Sequence, residues 1–376
     1  MDPERKLFKD WFDRQAAKQL AEQMARAWPD FPSRAFIQRA TRDLQTLEFH
    51  ARVKQLSEAL NHALPPDPAT ALDILTRSLP PVLPDDQVTT GWLQWPLGQW
   101  IADHGLPCFE ESMQAMTELT MRFSSEFAVR PFLETYPEKT FPYLLRMTRH
   151  KNHHVRRWCS EGARPRLPWG KRLHALVADP APCWPILEAL KDDPSPYVRK
   201  SVANHLNDIA KDHPAAVVER CREWIINASP ERMWIIRHGL RTLIKAGNPD
   251  ALLLLGYSPQ ATVDTSLAIA PQKLLIGGIA TLTATLLNQG PKPHRYVVDY
   301  RIHFVRPTGR TSAKVFKWTT LELAGGEHAE IQKRHRFQPA TIRSLHPGRH
   351  RIELLVNGNC VAEASLTLLH RDREGK

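Results

Sequence analysis

Short proline-containing segments recur at a nearly constant distance along the middle of this 376-residue chain. Ser125-Glu126-Phe127-Ala128-Val129-Arg130-Pro131 returns 35 residues later, one residue shorter, as Ser160-Glu161-Gly162-Ala163-Arg164-Pro165. His153-His154-Val155-Arg156-Arg157 is echoed 43 residues later by Ser195-Pro196-Tyr197-Val198-Arg199-Lys200. Ser229-Pro230-Glu231-Arg232 is a looser third copy. Self-similarity at a period of this length is typical of stacked repeats, in which each unit contacts mainly its neighbours.

The turn Asp192-Asp193-Pro194-Ser195-Pro196 indicates what the repeating unit is. Its second proline stands at the first turn of the helix that follows, where the missing N–H costs no hydrogen bond. Val198 then faces the core between the helices, and Arg199 lies on the surface. Turns and spacings of this kind are typical of HEAT-like helix pairs. We therefore expect an all-α HEAT-like repeat solenoid over residues 1–258, with an extended binding surface on its concave face.

The sequence pattern changes after Pro259. Runs rich in Val, Ile, Thr and aromatic residues now alternate with turn signals such as Asn288-Gln289-Gly290-Pro291. Asn357-Gly358-Asn359 lies between two such runs and indicates a hairpin. About seven short strands with no helical pattern between them predict an immunoglobulin-like β-sandwich over residues 265–370. The fold class is therefore multidomain, an all-α repeat region followed by an all-β sandwich.

Cysteine usage and hydropathy limit where the protein can act. The five cysteines are an odd number, lie far apart and form no C-x-x-C pair, which argues against a disulfide framework and a structural zinc site. No apolar region follows the charged N-terminus, and no apolar run is long enough to span a bilayer. We therefore expect a cytoplasmic protein without a membrane segment.

Positive charge is concentrated in two stretches of a chain whose net charge is +11. Residues 267–376 hold 17 Lys and Arg against 8 Asp and Glu, and Arg146–Arg172 holds nine basic residues and one acid, Glu161. Two basic surfaces separated in sequence suggest two contacts with one polyanion, which we expect to be double-stranded DNA. In the sandwich we expect phosphate contacts from some of its basic residues, namely Arg295, Arg301, Arg306, Arg310, Lys314, Lys317, Lys333, Arg334 and Arg336. The alternative is ordinary solubilising charge.

Residues at equivalent positions of the repeats are candidates for DNA contact. Arg156-Arg157 and Arg199-Lys200 are equivalent basic pairs, 43 residues apart. If the repeats stack in register, the two pairs line up along the concave face. Arg199 also fits a hydrogen bond to a neighbouring repeat. Trp169 follows a proline-stiffened loop, where an indole can stack on a cationic base or a deoxyribose. Most other tryptophans are interpreted as packing residues. The DNA-binding candidates are Trp169, Arg156, Arg157, Arg164, Arg166, Arg199 and Lys200.

Three acids stand out against this positive charge. Glu161 lies inside the basic run, Glu126 is its equivalent in the preceding repeat, and Asp208 lies on the corresponding helix of the following unit. Asp208 lies one helical turn beyond Asn204, which aligns with Glu161. Neighbouring helices can therefore project Glu126, Glu161 and either Asp208 or Asn204 onto one strip of the concave face. Such a strip is unfavourable for phosphate but suits a cationic ligand. The alternative is that each acid pairs with Arg130, Arg164 or a neighbouring helix.

Other chemistries are not indicated by the sequence. His150, His153 and His154 resemble a metal cluster by composition, but His153 and His154 point about 100° apart on a helix. No acid or cysteine is spaced to complete a metal site. The chain has no phosphate-binding Gly-rich loop, no G-x-S-x-G elbow and no dinucleotide fingerprint. We therefore expect neither a metal nor a nucleotide cofactor.

Taken together, these segments resemble the AlkC branch of the HEAT-like-repeat alkylpurine DNA glycosylases, in the long form with a C-terminal immunoglobulin-like domain. The resemblance spans nearly the whole chain. Its most specific part is His153–Trp169, which contains Ser160-Glu161-Gly162 and Arg164-Pro165-Arg166-Leu167-Pro168-Trp169. The remainder is carried by Phe8–Asp13, Leu44–Leu60, Ser125–Leu133 and Asp192–Pro214.

The resemblance implies an enzyme that hydrolyses the N-glycosidic bond of cationic N3-alkylated bases, chiefly 3-methyladenine, in duplex DNA, with no cofactor and without base flipping. It assigns Glu126, Glu161 and Asp208 to a catalytic acidic cluster, Trp169 to sugar or base contact, and Arg157 to the DNA backbone. It leaves open which carboxylate orients the water. We expect a monomer that binds double-stranded DNA containing alkylated bases. The alternative is a non-catalytic HEAT-repeat scaffold or a DNA-damage-binding adaptor.

Overall fold

The computed structural model describes residues 7–84, 87, 91–258, 262–338 and 344–370. Pro259, where the sequence pattern changes, and the charged N-terminus at residues 1–6 lie outside this range. The chain forms two compact units. One comprises the residues up to His213 together with Asn227–Gly239, and the other comprises Pro214–Ile226 and the residues from Leu240 onward.

The part of the described chain before residue 259 is helical. Short 3-10 helices cover Phe8–Trp11, Leu44–Thr46, Trp92–Gln94 and Ala181–Cys183. None of the helices within the described ranges is long and apolar enough to cross a membrane. The α-helices are α1 (Arg14–Ala27), α2 (Ser33–Ala40), α3 (Phe49–Ala63), α4 (Pro68–Ser78), α5 (Trp95–His104), α6 (Phe109–Thr120), α7 (Arg130–Thr135), α8 (Pro137–Met147), α9 (His153–Gly162), α10 (His174–Ala178), α11 (Trp184–Leu190), α12 (Pro196–Ile209), α13 (Pro214–Trp224), α14 (Pro230–Gly239), α15 (Arg241–Lys245) and α16 (Pro249–Leu254).

Prolines and capping residues determine where the helices of the repeats begin. Pro196 stands in the first turn of α12, as predicted, and Pro230 opens α14. Asn152 caps α9, because its side-chain oxygen accepts a hydrogen bond from the backbone N–H of His154 at 2.8 Å. Helix α9 packs on α12, and α12 packs on α14. Equivalent helices of successive repeats therefore lie side by side.

The contact between these helices is a continuous apolar core. Val155 and Val198, which occupy equivalent positions of two units, are both fully buried, as is Trp158. The indole Nε1 of Trp158 donates to the backbone carbonyl of Ser125 at 3.1 Å. The carbonyl belongs to the turn that precedes α7, so this hydrogen bond fixes that turn against α9. Both the acid on the turn and the acid on α9 are thereby held in place.

The second unit contains α13, α15 and α16 and a sandwich of two sheets. One sheet has the order β1-β3-β6, and the other has the order β2-β8-β7-β4-β5, in which only the β2–β8 pair is parallel. The strands are β1 (Val263–Ala270), β2 (Lys273–Leu275), β3 (Ile279–Asn288), β4 (His294–Val305), β5 (Thr311–Leu323), β6 (His328–Arg336), β7 (Gly348–Val356) and β8 (Asn359–Leu369).

The predicted hairpin joins β7 to β8 through Asn357 and Gly358. Their φ angles are 47° and 81°, which is the left-handed conformation that a two-residue hairpin turn of type I′ requires at both positions. Glycine is also required at the second position because a Cβ there would lie 2.1 Å from the Cα of Gly247. The side chains between the sheets, among them Leu282, Tyr296 and Ile352, are fully buried.

Candidate active site

The three acids singled out from the sequence lie in one network, in which two arginines separate them. Arg157 donates to Glu126 Oε2, and its Nη2 lies 3.3 Å from Glu161 Oε1. Arg164 donates from Nη1 to Glu161 Oε1 at 2.5 Å and from Nε to Asp208 Oδ2 at 2.8 Å. The turn before α7, helix α9 and helix α12 each contribute one carboxylate. We call these five side chains the acid–arginine network.

The outer ends of the network are also paired. Ser124 donates its hydroxyl to Glu126 Oε2 at 2.8 Å. Lys211 Nζ lies 3.0 Å from Asp208 Oδ1. With Lys211, three cations balance three carboxylates. Each carboxylate thus has a cation as its partner, as in the alternative interpretation of the sequence, in which the acids pair with neighbouring side chains.

Glu161 is the central carboxylate, and it stays ionised although it is only 6% exposed. Burial by itself raises the pKa of this carboxyl group, but the charges of Arg157 and Arg164 and the hydrogen bond from Ser201 outweigh it. The pKa of Glu161 therefore lies below its ordinary value. The Ser201 hydroxyl donates to Oε2 at 2.5 Å. A charged group held by three donors needs little rearrangement to act on a nearby charge.

Arg157 is fixed by an aromatic ring as well as by carboxylates. Its guanidinium carbon lies 5.0 Å from the ring centroid of Tyr197, which is the geometry of a cation–π contact. Burial lowers the pKa of the guanidinium, but Glu126 and Glu161 outweigh that effect, so the pKa lies above its ordinary value. Tyr197, in the first turn of α12, was missed as a site residue in the sequence. Its position directly after Pro196 in the repeat turn was the available signal.

A pocket of about 480 Å³ opens beside the network. Glu126 and Arg157 line it, and so does Trp169, whose side chain is among the exposed large hydrophobic groups at 70%. The Trp169 ring centroid lies 6.1 Å from that of Phe49. The remaining aromatic walls of the pocket are Phe8, Trp92, Trp95, Phe123, Phe127 and Tyr197.

Most of these aromatic walls were not identified from the sequence. Trp95 stacks on Phe127 with ring centroids 5.0 Å apart, and its ring centroid is 5.2 Å from that of Phe123. Most tryptophans other than Trp169 were interpreted as packing residues, and Trp95 packs in the core but also faces the pocket. Phe123 and Phe127 lie within three residues of Glu126 on either side. That proximity was the signal that could have revealed them.

Arg164 and Arg156 have protein partners that the sequence did not reveal. Arg164 is 6% exposed, and its guanidinium lies between two carboxylates of the network. Arg156 donates to Asp193 from Nε at 2.6 Å and from Nη2 at 3.0 Å, and its Nη1 donates to two backbone carbonyls. Both guanidinium groups are thus engaged by protein groups, and their contacts with DNA stay predictions. Arg164 positions carboxylates, and Arg156 joins α9 to the turn before α12.

Among the other basic residues predicted to contact DNA, two have partners within the protein and one is exposed. Arg166 makes a two-bond pair with Asp212 at 2.7 and 2.6 Å, and its contact with DNA stays a prediction. Arg199 donates to the carbonyls of Asp193 and Pro194, so it closes its own turn. Lys200 is exposed and is available for a phosphate.

Comparison with known proteins gives relatives over the full chain. Residues 263–370 match the family described as "Uncharacterised protein YhaZ, C-terminal Ig-like domain". The chain is 35% identical to "Uncharacterized protein YhaZ" of Bacillus subtilis (strain 168) over 352 residues, 93% of this chain and 96% of that protein. It is also similar to the structure of Pseudomonas fluorescens alkylpurine DNA glycosylase AlkC bound to DNA containing an abasic site analog. That match has a TM-score of 0.89 and 37% identity and covers 97% of this chain and 100% of the other.

The fold is thus an array of HEAT-like helix pairs followed by an immunoglobulin-like sandwich, with an acid–arginine network in the helical part. The protein belongs to the AlkC family of HEAT-like-repeat alkylpurine DNA glycosylases, in the long form with a C-terminal immunoglobulin-like domain, as its sequence indicated.

Proposed function

We propose that this protein is a DNA glycosylase that hydrolyses the N-glycosidic bond of cationic N3-alkylated bases, chiefly 3-methyladenine, in duplex DNA. The observation that carries the proposal is the acid–arginine network, whose Glu126 lines a pocket together with the exposed Trp169. The 37% identity to a DNA-bound alkylpurine DNA glycosylase supports it. We also propose that excision occurs without base flipping, as the resemblance to the family implies.

The charge of the lesion explains why carboxylates suit this reaction. Alkylation at N3 makes the base cationic, so the bond to C1′ breaks with both electrons going to the base, which leaves as a neutral molecule. The positive charge passes to the sugar, which becomes oxocarbenium-like. Water then adds to C1′ and loses a proton to a carboxylate or to solvent. The products are the free base and an abasic site.

The network supplies two things to this reaction. Its ionised carboxylates stabilise positive charge on the sugar, and one of them orients the attacking water. Arg157 and Arg164 hold the carboxylates in one arrangement before the substrate arrives. Trp169 offers an exposed aromatic face for the sugar or the cationic base.

Release of the free base from methylated duplex DNA is the decisive experiment. The protein is incubated with duplex DNA carrying 3-methyladenine, and the released base is separated by chromatography and quantified. We expect base release by wild type and at least tenfold less by Glu161→Gln, a loss of about 1.4 kcal/mol in transition-state stabilisation. Binding without any released base would favour the non-catalytic adaptor instead.

A further inference from the structure

One buried arginine beside the site belongs to neither the network nor a surface ion pair. Arg130, the first residue of α7, is 3% exposed. Its Nη1 donates to the backbone carbonyls of Gly162 and Arg164, both at 2.9 Å. Its Nε donates to the carbonyl of Lys171 at 2.8 Å, and Nη2 donates to the same oxygen. These three carbonyls lie just before and just after the loop that carries Trp169.

This arrangement is unusual because a buried cation normally has a carboxylate as its hydrogen-bond partner. Burial lowers the pKa of Arg130 to about 10, and Glu134 opposes this effect at longer range. Within the described residues, every hydrogen bond found for the Arg130 guanidinium ends on a main-chain oxygen. A planar guanidinium with five N–H groups can hold several carbonyls in fixed positions at once. Its position therefore points to a role in loop geometry.

The conformation of the loop over residues 165–170 depends on contacts with residues outside the loop. Trp169 has a φ of 64°, a left-handed conformation that is disfavoured for a residue with a Cβ. Its indole is 70% exposed, so its own packing holds this residue only weakly, although Leu167 of the same loop is buried and Arg166 pairs with Asp212. One internal hydrogen bond, from the N–H of Gly170 to the carbonyl of Leu167 at 3.2 Å, closes the turn. The carbonyls held by Arg130 fix both ends.

We propose that Arg130 is a positioning residue that holds the 165–170 loop so that Trp169 faces the pocket beside Glu126. The inference rests on the proposed function of Trp169 in excision.

The repeat itself provides a comparison. Arg164 is the equivalent of Arg130 in the next unit, and each arginine directly precedes a proline. The guanidinium of Arg164 holds the carboxylates of Glu161 and Asp208, whereas that of Arg130 holds backbone carbonyls. The same repeat position thus fixes the acids in one unit and the aromatic loop in the other.

Limited proteolysis tests whether Arg130 holds the loop. Lys171 and Arg172 are exposed and directly follow the loop, so trypsin cleavage after them reports its opening. We expect Arg130→Met to be cleaved there about tenfold faster than wild type, well below the melting temperature of both proteins. Arg130→Lys keeps the charge but not the fork of donors, so its rate should be intermediate. Arg130→Lys also tests the proposal if Arg130→Met does not fold.

Arg52→Met is the matched control for losing a buried arginine. Arg52 is 5% exposed and also donates to backbone carbonyls, at 2.9 Å to Leu47 and 3.0 Å to Lys9, and it pairs with Asp10 at 3.2 Å. We expect this variant to melt at a lower temperature without faster cleavage after Lys171 or Arg172. Unchanged cleavage of both Arg130 variants, or equal acceleration in the control, overturns the proposal.

A double-mutant cycle tests whether Arg130 acts through Trp169. Single-turnover release of 3-methyladenine is measured for Arg130→Met, for Trp169→Ala and for both together. We expect Arg130→Met to lower the rate about tenfold in wild type and less than about twofold when Trp169 is already alanine. Equal losses in the two backgrounds indicate general destabilisation and overturn the proposal. If wild type releases no base, the proposed function fails, and the trypsin rates alone decide the role of Arg130.

Discussion

Carboxylates that are fully paired with arginines can still drive excision, because the substrate brings a new positive charge next to ionised groups that cannot move away. We expect Glu161→Gln and Asp208→Asn each to lower the single-turnover excision rate by tens-fold, which is about 2 kcal/mol in transition-state stabilisation. DNA affinity should stay similar or increase, because each variant removes a negative charge. Rates and equilibrium binding of methylated duplex DNA are measured side by side.

Asp73→Asn is the control for this pair of variants. Asp73 is exposed and pairs with Arg77 on the surface of α4, where an ion pair contributes little. Its loss should leave the excision rate unchanged. Wild-type rates for both Glu161→Gln and Asp208→Asn would show that the network is structural.

Trp169 and Trp158 lie eleven residues apart and predict opposite effects when truncated. Trp169→Ala should lower excision strongly and the melting temperature only slightly, because the ring is 70% exposed. Trp158→Ala removes a fully buried ring and should lower the free energy of unfolding by about 3–5 kcal/mol. Thermal melting of both variants is the measurement. A Trp169→Ala variant as unstable as Trp158→Ala would contradict the assignment of this indole to the substrate.

The pKa of Glu161 predicts how stability depends on pH. Burial acts to raise this pKa, but Arg157 and Arg164 outweigh it and depress it below its ordinary value of 4.5. A carboxyl group with a depressed pKa stabilises the fold above its unfolded-state pKa, and this contribution is lost as the pH falls through the folded-state value. The difference in melting temperature between wild type and Glu161→Gln should therefore be constant near neutrality and shrink below about pH 4.5. A constant difference down to about pH 3 would contradict the pairing.

The residue types of the site could be found in the sequence, but their partners could not. Glu126 and Glu161 are visible as repeat equivalents, and Trp169 follows a loop rich in proline. The hydrogen-bond partners of Arg130 and Arg164 could not be predicted. The two residues occupy the same repeat position and differ only in the groups that the tertiary fold places around them. Arg156 appeared to be a surface cation for the same reason, since Asp193 lies 37 residues away.

The turn before α12 contains two adjacent aspartates with different environments, and they allow a test at the level of one element. The Asp193 side chain is 3% exposed and pairs with Arg156, whereas that of Asp192 is 47% exposed and pairs with Arg232. Asp193→Ala leaves the Arg156 guanidinium, whose side chain is 14% exposed, without its carboxylate and should lower the free energy of unfolding by about 3 kcal/mol. Asp192→Ala should cost less than about 1 kcal/mol. Denaturant unfolding measures the free energy of unfolding of the two variants. Equal losses of stability would contradict the assigned role of Arg156.

Helix and strand positions followed from local signals to different degrees. The proline at the start of α12 and the Asn357-Gly358 turn are local features, and both predictions are confirmed. Apolar spacing is a less reliable signal, because Leu44, Leu47 and Ala51 lie at helical intervals, but α3 begins at Phe49 and Ala51 is exposed. Strand β6 was not predicted as a separate strand. It is an edge strand in which exposed residues alternate with half-buried ones. Its register is set by pairing with β3, and spacing in the sequence does not reveal that pairing.

At the scale of the whole chain, the basic residues of the sandwich divide into two groups. Arg295 donates to the carbonyl of Leu255, and Arg301 pairs with Glu353, so these two of the expected phosphate contacts are engaged within their own unit. Arg334 and Arg336 are exposed on β6, and Arg306 and Arg310 are exposed in the loop between β4 and β5. These four, together with Lys314 and Lys317, which are exposed on β5, and Lys333, which is half-buried on β6, are the sandwich residues that we propose for phosphate contact.

The salt dependence of DNA binding tests this proposal in the full-length protein. Each phosphate neutralised by the protein contributes about −0.9 to the slope of log affinity against log salt concentration. Arg334→Gln with Arg336→Gln should therefore weaken binding to duplex DNA and make the slope shallower by up to about 1.8. Arg220→Gln with Arg222→Gln is the control, because it removes the same charge from α13, where both arginines pair with glutamates of their own helix. Equal slopes for wild type and the β6 variant would remove these residues from the DNA contact and favour protein recruitment by the sandwich.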